Sequence, residues 1–286
     1  MRGGLALLLA VMLLGCAQQR VDDEGVRAPD LVPTYEDLRD ATNARASAFS
    51  RLWARATLVV HHRDDDGEIS TTQGDGYLQI ITPDRLSLSL GKAIDRMYFF
   101  LGSNEDYFWW VDTLDRDARY ALVGTHAGAS RARAAEFGVP IHPLDLMDLL
   151  GIMPLPQHGS APTWDPRRAA WSVVTQARWG TRQTLIDPIE MRPIEIVLLD
   201  DTGQIGARAT LREYKRVDEF DGQGLRPEIA SEISIELPAI DTDVLVDLGA
   251  VRIVDRLPRD IVFDLPGLLR KERIDDIRSL DDEPAA

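Results

Sequence analysis

The stretch "HHRDDDGE" (61–68) is the densest collection of metal-binding residue types in this 286-residue chain. Setting Gly67 on the glycine of an EF-hand loop puts His62 first and Gln73 last. Both positions need charged oxygen donors, so the match fails. His61 and His62 are neighbours on an alternating run and point to opposite faces, which prevents easy chelation of one ion. The segment reads as a solvated turn. His126, His142 and His158 are scattered through connecting segments, and no HExxH or CxxC spacing joins them. There is no Gly-x-Ser-x-Gly elbow and no Gly-rich phosphate loop opening a helix. In "FFLGSNEDYFWWVD" carboxylates stand beside aromatics, a pairing found in sugar sites, but aromatics on alternating strands are more often core. The expectation is a non-enzyme with no catalytic residue, no metal and no cofactor.

One cysteine remains, Cys16, at the end of an apolar run. Arg2 supplies a positive n-region and "LALLLAVMLL" (5–14) an apolar h-region, too short for the roughly 20 residues of a membrane span. A lone Cys in an exported chain cannot form an internal disulfide. "LLGC" resembles the lipobox of bacterial lipoprotein precursors. The resemblance implies diacylglycerol on the Cys16 thiol, cleavage after Gly15 and acylation of the new N-terminus. Ala17, in place of Asp, implies delivery to the outer membrane, facing the periplasm. Each buried methylene contributes about 0.8 kcal/mol, so two or three chains hold firmly where one does not.

The net charge is −15 and no basic cluster interrupts it. That argues against nucleic acid, whose phosphates need Lys and Arg, and against a surface lying flat on anionic lipid. The lipid anchor must do the tethering. Residues 17–33 have little apolar content and no period, and read as a flexible tether reaching roughly 20–25 Å.

The folded part begins at "TYEDLRDATNARASAFSRLWARA". Thr34 and Asp37 make a capping box, and Leu38, Ala41, Ala48, Phe49, Leu52 and Trp53 fall mainly on one helical face. The period then changes to two. "ATLVVHHR", "ISTTQGDGYLQII", "DRLSLSLG", "RMYFFLG", "DYFWWVDT" and "ARYALVG" predict a six-stranded antiparallel meander. Bulky apolar groups sit on both faces of "MYFFL" and "YFWWV", so each face needs a cover. The N-terminal helix is one expected cover. The other is "PIHPLDLMDLLGIMPLP" (140–156), apolar nearly all round and bracketed by prolines. "SRARAAEFG" predicts a short helix ending at Gly138. More strands follow, with "DDTG" (200–203) as a hairpin turn. The end of the chain predicts a short helix and an acidic, frayed tail. One sheet of ten or more strands must curl or split.

The order of helix, meander, Pro-flanked helical segment and further strands, with "YLQIITPDRLSLSLG", "RMYFFLGSNEDYFWWVD" and "PLDLMDLLG", resembles the bacterial lipoprotein-localisation (LolA/LolB-like) superfamily over roughly residues 34–236. The resemblance implies a mainly β (α+β) fold. A strongly curved antiparallel sheet would form an open half-barrel, with an N-terminal helix and short plug helices, and its apolar concave face would receive acyl chains. The expected organisation is a signal peptide (1–15), a lipidated tether (16–33), the half-barrel (34–259) and a C-terminal helix and acidic tail (260–286). Alternation nominates Leu86, Leu88, Leu90, Met97, Phe99, Leu101, Phe108 and Trp110 as pocket wall. Leu146, Met147, Leu149, Leu150, Ile152 and Met153 are the candidate lid, with the methionines able to adapt to different guests. Members that deliver lipoproteins expose an apolar residue on a strand-connecting loop. The comparable loop here, "GSNEDY" (102–107), is polar and acidic, and an anchored receptor role suits the lipobox. The expected partners are a membrane, through the lipid anchor, and an acyl chain or lipoprotein cargo. The other reading is an anchored structural or interaction module of an envelope complex, with a filled core and no ligand.

Overall fold

The structure, a computed structural model, describes residues 26–63, 66–93, 96–114, 119–139, 141–222, 226–253, 255 and 260–282. The leader and Cys16 lie outside them. Helix α1 (Tyr35–Ala46) starts at the capping box expected for it. Asp37 N donates to Thr34 Oγ1 (3.1 Å) and Thr34 N to Asp37 Oδ2 (2.8 Å). A single 3-10 turn, Ser47–Phe49, buries Phe49 and feeds the first strand.

The six-strand meander is present. It comprises β1 (Arg51–Arg63), β2 (Ile69–Ile81), β3 (Arg85–Ala93), β4 (Arg96–Ser103), β5 (Tyr107–Asp112) and β6 (Tyr120–Thr125), each antiparallel to the next. Two short helices follow, α2 (Arg131–Glu136), capped by Ser130, and α3 (Asp145–Leu149). The second β region holds β7 (Thr163–Asp165), β8 (Ala170–Ala177), β9 (Gly180–Ile186), β10 (Pro193–Leu199), β11 (Ile205–Arg216), β12 (Glu219–Phe220), β13 (Glu228–Leu237) and β14 (Thr242–Ile253). The β10–β11 hairpin turns at "DDTG", where the Asp200 carboxylate accepts from the Thr202 and Gln204 backbone N–H groups at 2.9 and 2.8 Å. The described chain ends with α4 (Leu265–Glu272) and β15 (Asp276–Ser279).

All described strands belong to one sheet, ordered β15-β6-β5-β4-β3-β2-β1-β14-β13-β11-β10-β9-β8-β7, with β12 added beside β14. β1 joins the two halves through its pairing with β14. Laid flat, β4 and β10 would stand seven steps apart, about 34 Å. Yet Leu101 of β4, Ile196 and Leu198 of β10 and Leu149 of α3 share one apolar cluster. The sheet reaches both sides of α3 only by curling around it. It is a strongly curved, unclosed sheet, and its concave, inner face carries the main core.

The two covers expected for the two faces lie on the same, inner side. α1 and the α3 segment are hydrogen-bonded to each other and fill the concavity together. The outer face of β4–β6 is covered instead by the C-terminal extension, where Leu265, Leu268, Leu269 and Ile274 pack on Phe100, Trp109, Val111 and Ala121. Residues 276–279 are not a frayed tail. They pair parallel with β6, and Leu280 beyond them is fully buried.

Candidate functional site

Cross-strand partners share a face, so register decides which side chains line the concavity. Leu88 faces Leu101, Leu101 faces Trp110, and Leu90 faces Phe99. Leu86, Phe108 and Trp110 follow on the same face. The Phe99 and Trp110 rings meet edge to face at 5.7 Å between centroids. Seven of the eight nominated wall residues therefore share this face; six of them meet the inner cluster, and Phe108 packs beside it with Leu122, Ala134 and Val139. Met97 does not. A bulge shifts the register between Leu90 and Ala93, so that Gly91 faces Met97 where unbroken pairing would place Tyr98. The extra residue turns Met97 to the outer face, where it packs with Phe100 and Trp109.

The six lid residues all meet the inner cluster: Leu146, Met147, Leu149, Leu150 and Ile152 within it, and Met153 packed against it. The opposite wall was not named from the sequence. It consists of Ile196 and Leu198 on β10, Leu211 on β11, Ile233 and Ile235 on β13, and Val246 and Leu248 on β14. Their period-two spacing was visible, but the face they shared with the lid was not.

The lid is apolar beneath and latched by polar contacts around its rim. Asn43 bonds both backbone groups of Leu155, Arg45 donates to Gly151 O (2.7 Å) and Tyr35 to Pro156 O (2.7 Å), all from α1. From the β8–β9 side, Arg182 pairs with Asp148 and donates to Pro154 O (3.1 Å). Gly151 ends the helical turn with φ +67°, and a Cβ there would stand 2.9 Å from Leu211 Cδ2 and 3.0 Å from Pro193 Cγ. Only glycine lets the lid lie this close to its wall.

Two ionisable groups are buried at the foot of the lid. Asp145 is 5% exposed. Burial, reinforced by Asp148, pushes its carboxyl up to about 7, against the pull of Arg178. Arg178 Nε is 3.7 Å from Oδ1, too far for a hydrogen bond, and that oxygen has no hydrogen-bond partner. His142 is 1% exposed, and burial together with Arg178 and His126 lowers it to about 2. Its hydrogen bonds fit the neutral ring. Leu144 N donates to Nδ1 (3.1 Å), so Nε2 carries the proton and faces His126 Nδ1 at 3.4 Å. His126 Nε2 in turn lies 2.7 Å from Asn104 O and donates to it. Ser103 Oγ is 3.5 Å from the same Nε2, a pairing reminiscent of nucleophile and base. However, that nitrogen is a donor here, and the fully buried Ser103 donates to Asp84 O (2.8 Å). The arrangement ties the lid to the β4–β5 turn and cannot activate the hydroxyl.

The histidines of "HHRDDDGE" are divided between neighbouring strands. His61 meets Thr71 on β2 and His62 meets Thr242 on β14, each at 3.0 Å. Among the described residues no group of three His, Cys, Asp or Glu side chains is placed to hold a metal, and no helix is long and apolar enough to cross a membrane.

No family model matches the sequence, and no curated protein matches it significantly. Solved structures do match. A DUF1329 family protein from Desulfovibrio piger superposes with a TM-score of 0.52 at 12% identity, covering 82% of this chain and 98% of its own. A domain assigned to outer membrane lipoprotein sorting, from Vibrio parahaemolyticus, gives 0.52 at 13% identity, covering 81% and 97%. A LolA superfamily protein from Nitrosomonas europaea gives 0.50 at 8%, covering 80% and 97%. The fold is LolA-like. In this LolA-like half-barrel the β3–β5 side of the concavity and the segment over it carry residues nominated from the sequence, Met97 excepted, and the β10–β14 side does not.

Proposed function

We propose that the chain is a lipid-anchored envelope protein. Its half-barrel takes up an acyl chain, or the acylated end of a lipoprotein, beneath the segment 140–156. The carrying observation is the composition of the core. The walls on β3–β5 and on β10–β14 share one apolar cluster with α3 between them, and the two ends of the sheet touch at Phe108 and Trp179, whose ring centroids are 6.5 Å apart. α3 is a five-residue helix held by rim hydrogen bonds rather than by continuous secondary structure. Moving that segment aside would uncover apolar wall on both sides, suited to a hydrophobic guest of low specificity.

Residues 1–15 would be removed, Cys16 would carry the acyl groups, and residues 17–33 would hold the half-barrel off the outer membrane on its periplasmic side. The similarity to a lipoprotein-sorting domain supports a place in lipid or lipoprotein trafficking. The polar "GSNEDY" loop favours receiving cargo over delivering it. No bond-making step is assigned to the protein, so it acts by binding.

A second reading has one observation in its favour. Met147, Leu149 and Ile152 are fully buried, so the segment fills the concavity as a finished core would. The chain would then be a structural module of an envelope complex. Binding of a fluorescent fatty acid separates the two readings. Saturable binding that Met153→Asp weakens at least tenfold, with the melting transition retained, supports uptake. No binding by the wild-type chain leaves the structural module.

A further inference from the structure

The outer face of the sheet carries a cavity of its own. A cleft of about 730 Å³ lies between the outer side of β1–β5 and the C-terminal extension. Its volume falls within the range of small-molecule sites, roughly 300–1,000 Å³. None of its lining belongs to the lid or to the inner wall described above.

The cleft is long and its character changes along its length. It runs from Trp53 on β1 to Trp109 on β5, four strand spacings or about 19 Å. At the β5 end Met97, Phe100 and Trp109 form the floor, with Leu268 of α4 across from them. At the β1 end the side chains are polar or flat. Ser87 lies across from Gln79 and Ser89 across from Tyr77, and the Trp53 and Tyr77 rings stack at 5.7 Å.

Gln79 is the group that asks for a ligand. Its side chain is 5% exposed, it borders the cleft, and its Oε1 is sealed from solvent without a hydrogen-bond partner. An orphaned buried acceptor is destabilising, because it has lost water and gained no partner. A hydroxyl entering the cleft would remove that cost once the carboxamide turned toward it. A charged head is not called for. Lys271, the cation of the lining, is already engaged by Glu272 at 3.0 Å, and the acidic chain repels anions.

We propose that this cleft binds a single-chain amphiphile with an uncharged, hydroxylated head. The chain lies between the β4–β5 floor and α4, and the head rests against Gln79, Ser87, Ser89 and the Trp53–Tyr77 pair. The site is separate from the lid-filled concavity and does not rest on the uptake function proposed there. The C-terminal extension, which covers the outer face of β4–β6, builds its roof.

The test is photo-crosslinking of the full-length, membrane-inserted protein with a monoacylglycerol carrying a diazirine at its chain end, followed by peptide mapping. Labelling is expected on peptides containing Met97–Phe100 and Leu268. Gln79→Leu should reduce it about three- to tenfold. It should leave labelling by a methyl ester of the same chain length unchanged. Ser89→Phe, which fills the cleft from its floor, should abolish both, and retained melting transitions show that either variant is folded. Labelling confined to the lid peptides would overturn the proposal while leaving the inner-cavity reading intact. Labelling of the outer face that Gln79→Leu does not reduce would overturn it as well, as would labelling of residues 1–33 alone.

Discussion

The carboxamide of Asn43 holds both backbone groups of a residue 112 positions away. Nδ2 donates to Leu155 O at 3.0 Å, and Leu155 N donates to Oδ1 at 2.7 Å. Among the described residues no other side chain in α1 engages the lid twice. Asn43→Ala should lower stability by about 1–3 kcal/mol, since both buried backbone groups lose their partner. Hydrogen exchange at amides 146–152 should quicken more than exchange in β1 or β13. If the segment is a gate, the same variant should bind an acyl probe more tightly, because the closed state that competes with the guest is weakened. Unchanged exchange in the lid would show that Asn43 is not its latch.

Two glycines with nearly the same φ separate conformation from packing. Gly138 has φ +70° and open space where a Cβ would go, whereas Gly151 at φ +67° would press a Cβ on Leu211 and Pro193. Gly138→Ala should cost about 1–2 kcal/mol, the penalty of the left-handed region alone. Gly151→Ala should cost more, by a margin that reports how rigidly the lid is seated. Urea denaturation of both variants measures it, and equal losses would mean that the lid shifts without resistance.

Asp145 and His142 predict opposing pH dependences. The Asp145 carboxyl is raised from 3.8 to about 7, so the folded state holds its proton more tightly. Its stabilising effect is complete below 3.8 and is lost as pH rises through 7. His142 is depressed from 6.5 to about 2, so its contribution is complete above 6.5 and is lost as pH falls. Between about 4 and 6.5 the two slopes offset each other. Asp145→Asn should therefore make the protein more acid-sensitive across that window. His142→Asn, which keeps an acceptor for Leu144 N, should make stability decline as pH rises across it. Urea midpoints measured from pH 4 to 8 give both signs, and parallel profiles for the two variants would contradict this account.

Cys16→Ala should abolish acylation and, with it, membrane association. Mass spectrometry of the membrane fraction should show a diacylglyceryl-modified Cys16 at the N-terminus of the wild-type chain. The alanine variant should retain its leader and lack the added mass. An unmodified wild-type Cys16 would remove the anchor from the proposed function.

The β3 side of the inner face was legible because "LSLSL" alternates without interruption, and two residues per repeat is the pleat itself. The same reading failed at Met97. The apolar run "MYFFL" continues through the bulge, and nothing in the residue types marks the extra backbone unit. The need for covers on both faces of β4 and β5 was also legible. Which segment supplied each cover was not, because that depends on contacts such as Asn43–Leu155 and Phe100–Leu268 between distant parts of the chain. β15 gave no signal. "DIRS" has one apolar residue, and its place is fixed by backbone pairing with β6 rather than by a buried face. The outer cleft was invisible for the same reason, since its roof and floor are separated by some of the longest stretches of sequence in the fold.

β15 also sets an order of events. Its partner β6 leaves the ribosome first, while residues 276–279 emerge only after the whole second β region has been made. Until then the first hairpins present an unsatisfied ladder of N–H and C=O groups, an invitation to pair with any other extended chain. A product truncated before Asp276 would keep that invitation open permanently. The acidic C-terminal stretch, so easily taken for an afterthought, would on this view work as a seal that spares the nascent protein from its neighbours.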